Sequence, residues 1–279
     1  MGKYQYGFCE WYLPFCGPDT LRFCKEMGYE GIQIADMGGA SQNYPMSNPR
    51  LADAYMEMSE KTGIEIQCMD ILSVVYDGSL RADPDSALGK QAFTTMRKAF
   101  EACRYMGIKA AFIPSVLQTR IDNVFHFHNT GENLRRGKQL ADDMGIEFLY
   151  ESFSPVDKTR ALCEKAGGMR LMYDTLNPLK YGFADDPVKE ILDYGSEMIH
   201  TIHFKDCNAA FSSDVPLGSG IGRVANCARA IRQIGYEGWI INEGTYFRSE
   251  GVTAGADPWE LAAADLQTLK NLLEENEKV

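Results

Sequence analysis

The chain has 279 residues and a formal charge of −11, with 45% apolar and 24% charged residues, ordinary proportions for a globular protein. The acidic balance makes the chain a poor candidate for non-specific nucleic-acid binding, which needs clustered Lys and Arg against the phosphate backbone, but leaves room for a local basic pocket for one phosphate. No run approaches ~18 consecutive apolar residues, so no membrane-spanning helix is expected.

The start MGKYQYGF has no apolar run of the kind a secretion signal needs. Eight cysteines are scattered without a C-x-x-C pair, which suits reduced thiols in a cytoplasmic protein.

A first strand is predicted over Tyr4 to Cys9, followed by Glu10 and Trp11. Asp19 can cap a helix to Met27, and Gly31 to Asp36 reads as the second strand. A helix from about Asn48 to Thr62 precedes the strand Ile64 to Asp70. The next helix runs from about Asp83 to Met106, and the next strand from Ile108 to Pro114. A loop carrying Arg120, His126 and His128 leads to a helix from about Thr130 to Met144 and the strand Ile146 to Ser152. A helix over roughly Pro155 to Ala166 precedes the strand Met169 to Asp174. The loop TLNPLKYG then leads to a helix from about Pro187 to Tyr194.

Within MIHTIHFKDCN, Met198 to Asn208, a short strand of branched and aromatic residues ends in polar ones. After a long loop come a helix from about Val224 to Ile234, a strand over Trp239 to Gly244, and a last helix over about Pro258 to Glu275.

These are eight strand-then-helix units. Gly28, Gly63, Gly107 and Gly145 each stand where a helix must turn into the next strand, the position of a left-handed C-cap. Helix-to-strand turns are therefore short and strand-to-helix loops long, the asymmetry of an α/β protein of the (β/α)8 TIM-barrel class. An open doubly wound sheet would show a dominant phosphate-binding loop, and none is present. One domain over residues 1–279 is expected.

Side chains alternate along a strand, and in a barrel the outward ones pack under helices. Phe148 and Tyr150 then point out and Glu151 in; Leu171 and Tyr173 out and Asp174 in; Ile202 and Phe204 out and His203 in. In the eighth strand Glu243 shares a face with Trp239 and Ile241, which leaves Asn242 among the helices, a less regular pattern. Four consecutive strands thus end in Glu151, Asp174, His203 and Glu243. Three carboxylates and an imidazole suit one divalent cation, Mn²⁺ first, with Mg²⁺ or Co²⁺ also matched and Zn²⁺ less so.

The segments GFCEWYLP, YESF, MYDTLNPLKYG, HFKD, VPLGSGIGRV and YEGWIINEG together resemble the xylose-isomerase-like TIM-barrel superfamily of sugar and sugar-phosphate isomerases and epimerases. The pattern is most similar to ketose 3-epimerases, including L-ribulose-5-phosphate 3-epimerases. The resemblance implies that Glu151, Asp174, His203 and Glu243 hold one metal ion. It also implies that Glu151 and Glu243 serve as base and acid, epimerising a ketose at C3 through an enediolate. The chain departs from the family in carrying Gln33 at the second strand, no His in CMDILSV, and NEG at the eighth strand.

Asn177 can hydrogen-bond a substrate hydroxyl or serve as a turn residue before Pro178. Lys205 can contact a substrate oxygen or phosphate, or form a salt bridge inside the barrel. Glu10 and Trp11 can line a sugar pocket, with Trp11 as a stacking wall or a rim aromatic. LGSGIG, Leu217 to Gly222, fails G-x-G-x-x-G and reads as a tight loop able to offer N–H groups to a phosphate. A small carbohydrate is the expected partner, and self-association is left open. A metal-dependent lyase or dehydratase acting on a keto-sugar, inosose or C-glycoside would use the same residues and is the alternative activity.

Overall fold

Alternation of branched and aromatic residues with capped amphipathic helices produces eight strands that close into a barrel in chain order, each pairing with its sequence neighbour and β8 with β1 among the described residues. The computed structural model describes residues 3–38, 43–184, 186–211, 214–247 and 255–274. The strands are β1 Tyr4–Cys9, β2 Gly31–Ala35, β3 Glu65–Asp70, β4 Ala110–Pro114, β5 Glu147–Glu151, β6 Arg170–Asp174, β7 Ile199–Phe204 and β8 Gly238–Asn242. The helices are α1 Thr20–Met27, α2 Pro49–Thr62, α3 Ala87–Met106, α4 Val124–Met144, α5 Val156–Lys165, α6 Asn177–Lys180, α7 Pro187–Met198, α8 Val224–Gln233 and α9 Pro258–Glu274. Among the described residues no helix is long and apolar enough to cross a membrane.

By packing, the chain divides into two compact units, residues 33–60 with 66–172, and residues 1–32, 61–65 and 173–279. In the first of these, Phe148 of β5 meets Phe100 of α3 edge-on at 5.0 Å between centroids, so this residue does face the helices. Gly137 of α4 lies so close that an added Cβ would come 2.5 Å from Met96 Sδ. Gly107 has φ of 76°, and the amide after it, Ile108 N, donates to Cys103 O at 2.9 Å. That left-handed cap reverses the chain within three residues, as its position in the sequence led one to expect.

In the other unit, Tyr173 of β6 donates to Pro187 O and to Glu190 Oε2 of α7, each at 3.2 Å. Tyr6 of β1 donates to Glu274 Oε1 of α9 at 2.7 Å. Both tyrosines therefore point outward. The register of β7, β8 and β1 aligns Phe204, Asn242 and Phe8 in one row, and His203, Ile241 and Gly7 in the row on the opposite face. Pleating places Cys9, Glu243 and Lys205 on the same face as that second row.

Three helices differ from expectation. α3 begins at Ala87 rather than near Asp83, because the Ser86 side chain accepts from Gly89 N at 3.0 Å and caps it there. α4 begins at Val124 rather than near Thr130, because the Asn123 side chain accepts from His126 N at 2.9 Å and caps it there. His126 and His128 are therefore in the first turns of a helix and not in a loop. α7 continues to Met198 across a kink at Gly195, whose φ is 69°. The expected end of the last helix at Glu275 lies outside the described residues.

Candidate functional site

Asp174 closes β6 and is buried. Its Oδ1 accepts from Leu176 N at 2.8 Å and Asn177 N at 2.6 Å, which fixes the start of α6. Two charge-assisted bonds to backbone amides hold this carboxylate in one orientation. The remaining oxygen, Oδ2, lies 2.9 Å from Lys205 Nζ. The same ammonium donates to Glu243 Oε2 at 2.7 Å. His203 Nδ1 stands 3.3 Å from that Oε2, and Trp11 Nε1 reaches Glu243 Oε1 at 3.4 Å. Asp174, His203, Lys205 and Glu243 are all at least nine-tenths buried. The ligand atoms of Cys9, His203 and Glu243 lie within 4.8 Å of one another.

The electrostatics follow from burial and one shared cation. Burial pushes the Asp174 carboxyl above its ordinary range, against the pull of Lys205. Glu243 is also opposed by burial, but Lys205 and His203 outweigh it and hold the carboxyl well below the usual range. Two carboxylates share one ammonium in a poorly hydrated place, where an added cation would relieve their mutual repulsion. An ammonium already seated between Asp174 Oδ2 and Glu243 Oε2 shows that these oxygens can host a cation. With the His203 imidazole they make an oxygen-rich donor set that fits a divalent ion.

Asn177 opens α6, buried, with its backbone N–H on Asp174; it is a turn residue in its backbone. Lys205 forms the internal salt bridge. Trp11 is half-buried, with its ring 6.4 Å from that of His203. Glu10 is fully buried, and its Oε1 accepts from Gly17 N at 2.9 Å and Thr20 Oγ1 at 3.0 Å, so this oxygen organises the entry to α1. Glu151 is the last residue of β5, the strand beside β6 in the barrel order, and is buried.

The LGSGIG segment is wrapped around Asp206. Oδ1 accepts from Cys207 N at 2.9 Å and Gly222 N at 2.6 Å; Oδ2 accepts from Gly218 N at 3.0 Å and Gly220 N at 2.9 Å. The N–H groups expected to await a phosphate are engaged by a side chain of the protein itself. A Cβ on Gly220 would run into Cys207 O and Asp206 Oδ1.

Further on, Asp214 accepts from Thr245 Oγ1 at 2.9 Å and faces Lys180 Nζ at 3.5 Å. This joins the segments that follow β6, β7 and β8. Asn242, the irregular outward residue, donates to Tyr29 Oη at 2.8 Å and to Asp265 Oδ2 at 3.4 Å, and accepts from Gly244 N at 2.8 Å. Asp265 also accepts from Leu217 N at 2.9 Å and from Tyr246, and burial raises its carboxyl to about 6.

Sequence reasoning missed Cys9, Asp206 and Asp265 as parts of this region. Parity along YQYGFC would have found Cys9, since Tyr4, Tyr6 and Phe8 take the other face. Glycines at every second position from 218 to 222, after a buried Asp, were the signal for the Asp206 loop.

Residues 21–272 match the family described as Xylose isomerase-like TIM barrel. The chain belongs to that family. A search of curated proteins by sequence returned no match. Among solved structures, the D-psicose 3-epimerase with D-tagatose from Clostridium cellulolyticum H10 is similar, with TM-score 0.79 and 16% identity over 97% of this chain and 99% of that one. An L-ribulose 3-epimerase matches with TM-score 0.77 and 16% identity over 98% and 96%. The IOLI protein with a binding zinc atom matches with TM-score 0.74 and 14% identity over 99% and 100%. At these identities the likeness is one of fold.

Proposed function

We propose that this member of the family is a divalent-metal-dependent sugar isomerase or epimerase, acting on a ketose by exchange of the C3 proton. The observation that carries the reading is the buried convergence of Asp174 and Glu243 on one cation, Lys205 Nζ at 2.9 and 2.7 Å, with His203 Nδ1 3.3 Å from the same Glu243 oxygen. Support comes from the two 3-epimerases and the zinc-binding protein that share the fold. Glu151 is the proposed fourth ligand, because it ends the strand beside β6 with the parity of Asp174. A bound Mn²⁺ would act as a Lewis acid, polarising the ketose carbonyl and so acidifying the neighbouring C–H.

The protein's own groups then divide the work. Glu151 and Glu243 take and return the C3 proton from opposite faces of the sugar. Asp174, fixed by two amides, anchors the donor set. Trp11 covers the sugar, and Lys205, once free of the carboxylates, pairs with a substrate oxygen. Asn177 bonds a hydroxyl through its side chain, and Glu10, fully buried and not on the pocket surface, fixes the turn into α1 that follows Trp11. The working form is cytoplasmic.

The test is incubation of Mn²⁺-loaded protein with a panel of ketoses and ketose phosphates in D₂O, followed by NMR. Deuterium is expected at C3 of at least one of them, and Glu151→Gln should slow exchange by at least ~10²-fold, the lower range of acid–base catalysis. No exchange with any ketose would sink the epimerase reading. Loss of water or of an aglycone in its place would assign the site to a lyase.

A further inference from the structure

Asp174 has a single oxygen available to a cation. Oδ1 is committed to Leu176 N and Asn177 N at 2.8 and 2.6 Å, and Oδ2 is in contact with Lys205 Nζ at 2.9 Å. Glu243 is in a similar position. Its Oε2 receives both Lys205 Nζ at 2.7 Å and His203 Nδ1 at 3.3 Å, while Oε1 faces Trp11. The ammonium therefore covers one oxygen of each carboxylate, including the one oxygen of Asp174 that its backbone bonds leave open.

A divalent transition ion or Mg²⁺ sits at about 2.0–2.2 Å from carboxylate oxygens. Placed against Asp174 Oδ2 and Glu243 Oε2, it would stand within about 5 Å of the ammonium, close enough for the two positive charges to repel each other strongly in a buried setting. The two cations therefore compete for the same pair of oxygens.

We infer that Lys205 is a tethered internal cation that competes with the metal for Asp174 Oδ2 and Glu243 Oε2 and swings away from them when the metal enters. The inference rests on the metal-site reading above and adds to it a competitor within the chain. Two consequences follow. The carboxylates stay assembled without metal, because their charge is partly neutralised in place. Apparent metal affinity is reduced by the fraction of molecules in which Lys205 is bound to the carboxylates.

The test compares wild type with Lys205→Met and Lys205→Gln, the second retaining a hydrogen-bond donor without charge. Free Mn²⁺ is followed by electron paramagnetic resonance during titration, and thermal melts are recorded in EDTA and in Mn²⁺. Both variants should bind Mn²⁺ at least about tenfold more tightly than wild type. Their melting temperature should rise more on Mn²⁺ addition, because their metal-free form has lost its counter-ion. A variant that folds only with Mn²⁺ supports the same conclusion. Equal or weaker binding by both variants, beside a wild type that binds, overturns the competition while leaving the metal site intact. No binding by wild type or variants, with Asp174→Asn indistinguishable from them, overturns the metal-site reading itself.

Discussion

Replacing Asp206 by Asn should unfasten the loop from Leu217 to Gly222. The carboxylate of Asp206 accepts four backbone N–H bonds, two on each oxygen, at 2.6 to 3.0 Å. An amide keeps one oxygen, so two of these donors would face an NH₂ group that cannot accept. Each buried donor left without a partner costs about 1–3 kcal/mol. Gly218 N and Gly220 N are partly buried, so water can recover some of that loss if the amide turns its nitrogen toward them. The expected loss is then about 2–4 kcal/mol, a large part of the roughly 5–15 kcal/mol available to a domain. Urea unfolding followed by far-UV circular dichroism would read the shift in midpoint at constant slope. Hydrogen exchange should show the amides of Gly218, Gly220 and Gly222 speeding up well before those of α8. A loss below about 1 kcal/mol, or unchanged exchange at the three glycines, would refute the claim that Asp206 holds this loop.

Glu190 gives a pH-dependent prediction. Burial raises its carboxyl to about 7, above its value in an unfolded chain, so the folded protein loses stability as pH rises from about 4.5 to 7 and levels off above. Glu190→Gln keeps an acceptor for Tyr173 without the charge, and should gain about 1–2 kcal/mol over wild type at pH 8 relative to pH 5, after allowance for solvent screening; equal differences in melting temperature at the two pH values would contradict this. Asn242→Leu removes the partner of Gly244 N and of Tyr29 and should destabilise by about 2–4 kcal/mol, with weaker Mn²⁺ binding because Glu243 lies between the two; a neutral melt and unchanged binding would show that the outward amide is dispensable.

Much of this architecture is legible in the sequence because local and global signals agree. Gly107 and Gly145 mark turns that only a left-handed residue closes easily, and Tyr173 and Phe148 declare the outer face of their strands, which fixes Asp174 on the inner one. Where long-range partners decide, the sequence is less informative. Asn242 breaks the apolar pattern of an outward position, and its reason, an amide shared among Tyr29, Gly244 and Asp265, involves residues up to 213 positions away. Asn123 moved the start of α4 because a short capping side chain outweighed the polar composition after it. Glu10 belongs to a conspicuous motif at the end of β1, yet one of its oxygens serves Gly17 and Thr20, a contact that no periodicity reveals.

Asp214 has a consequence for how such a protein can change. Its carboxylate joins Lys180, which follows β6, to Thr245, which follows β8, at 3.5 and 2.9 Å. Three successive loops are thereby stitched into one rim. Exchanging the β6 loop alone would leave the buried Asp214 carboxylate without its cation, and exchanging the β8 loop alone would remove its hydroxyl donor. New substrate preferences should therefore arise by side-chain replacement within the rim, or by transplanting the three loops together with their shared carboxylate.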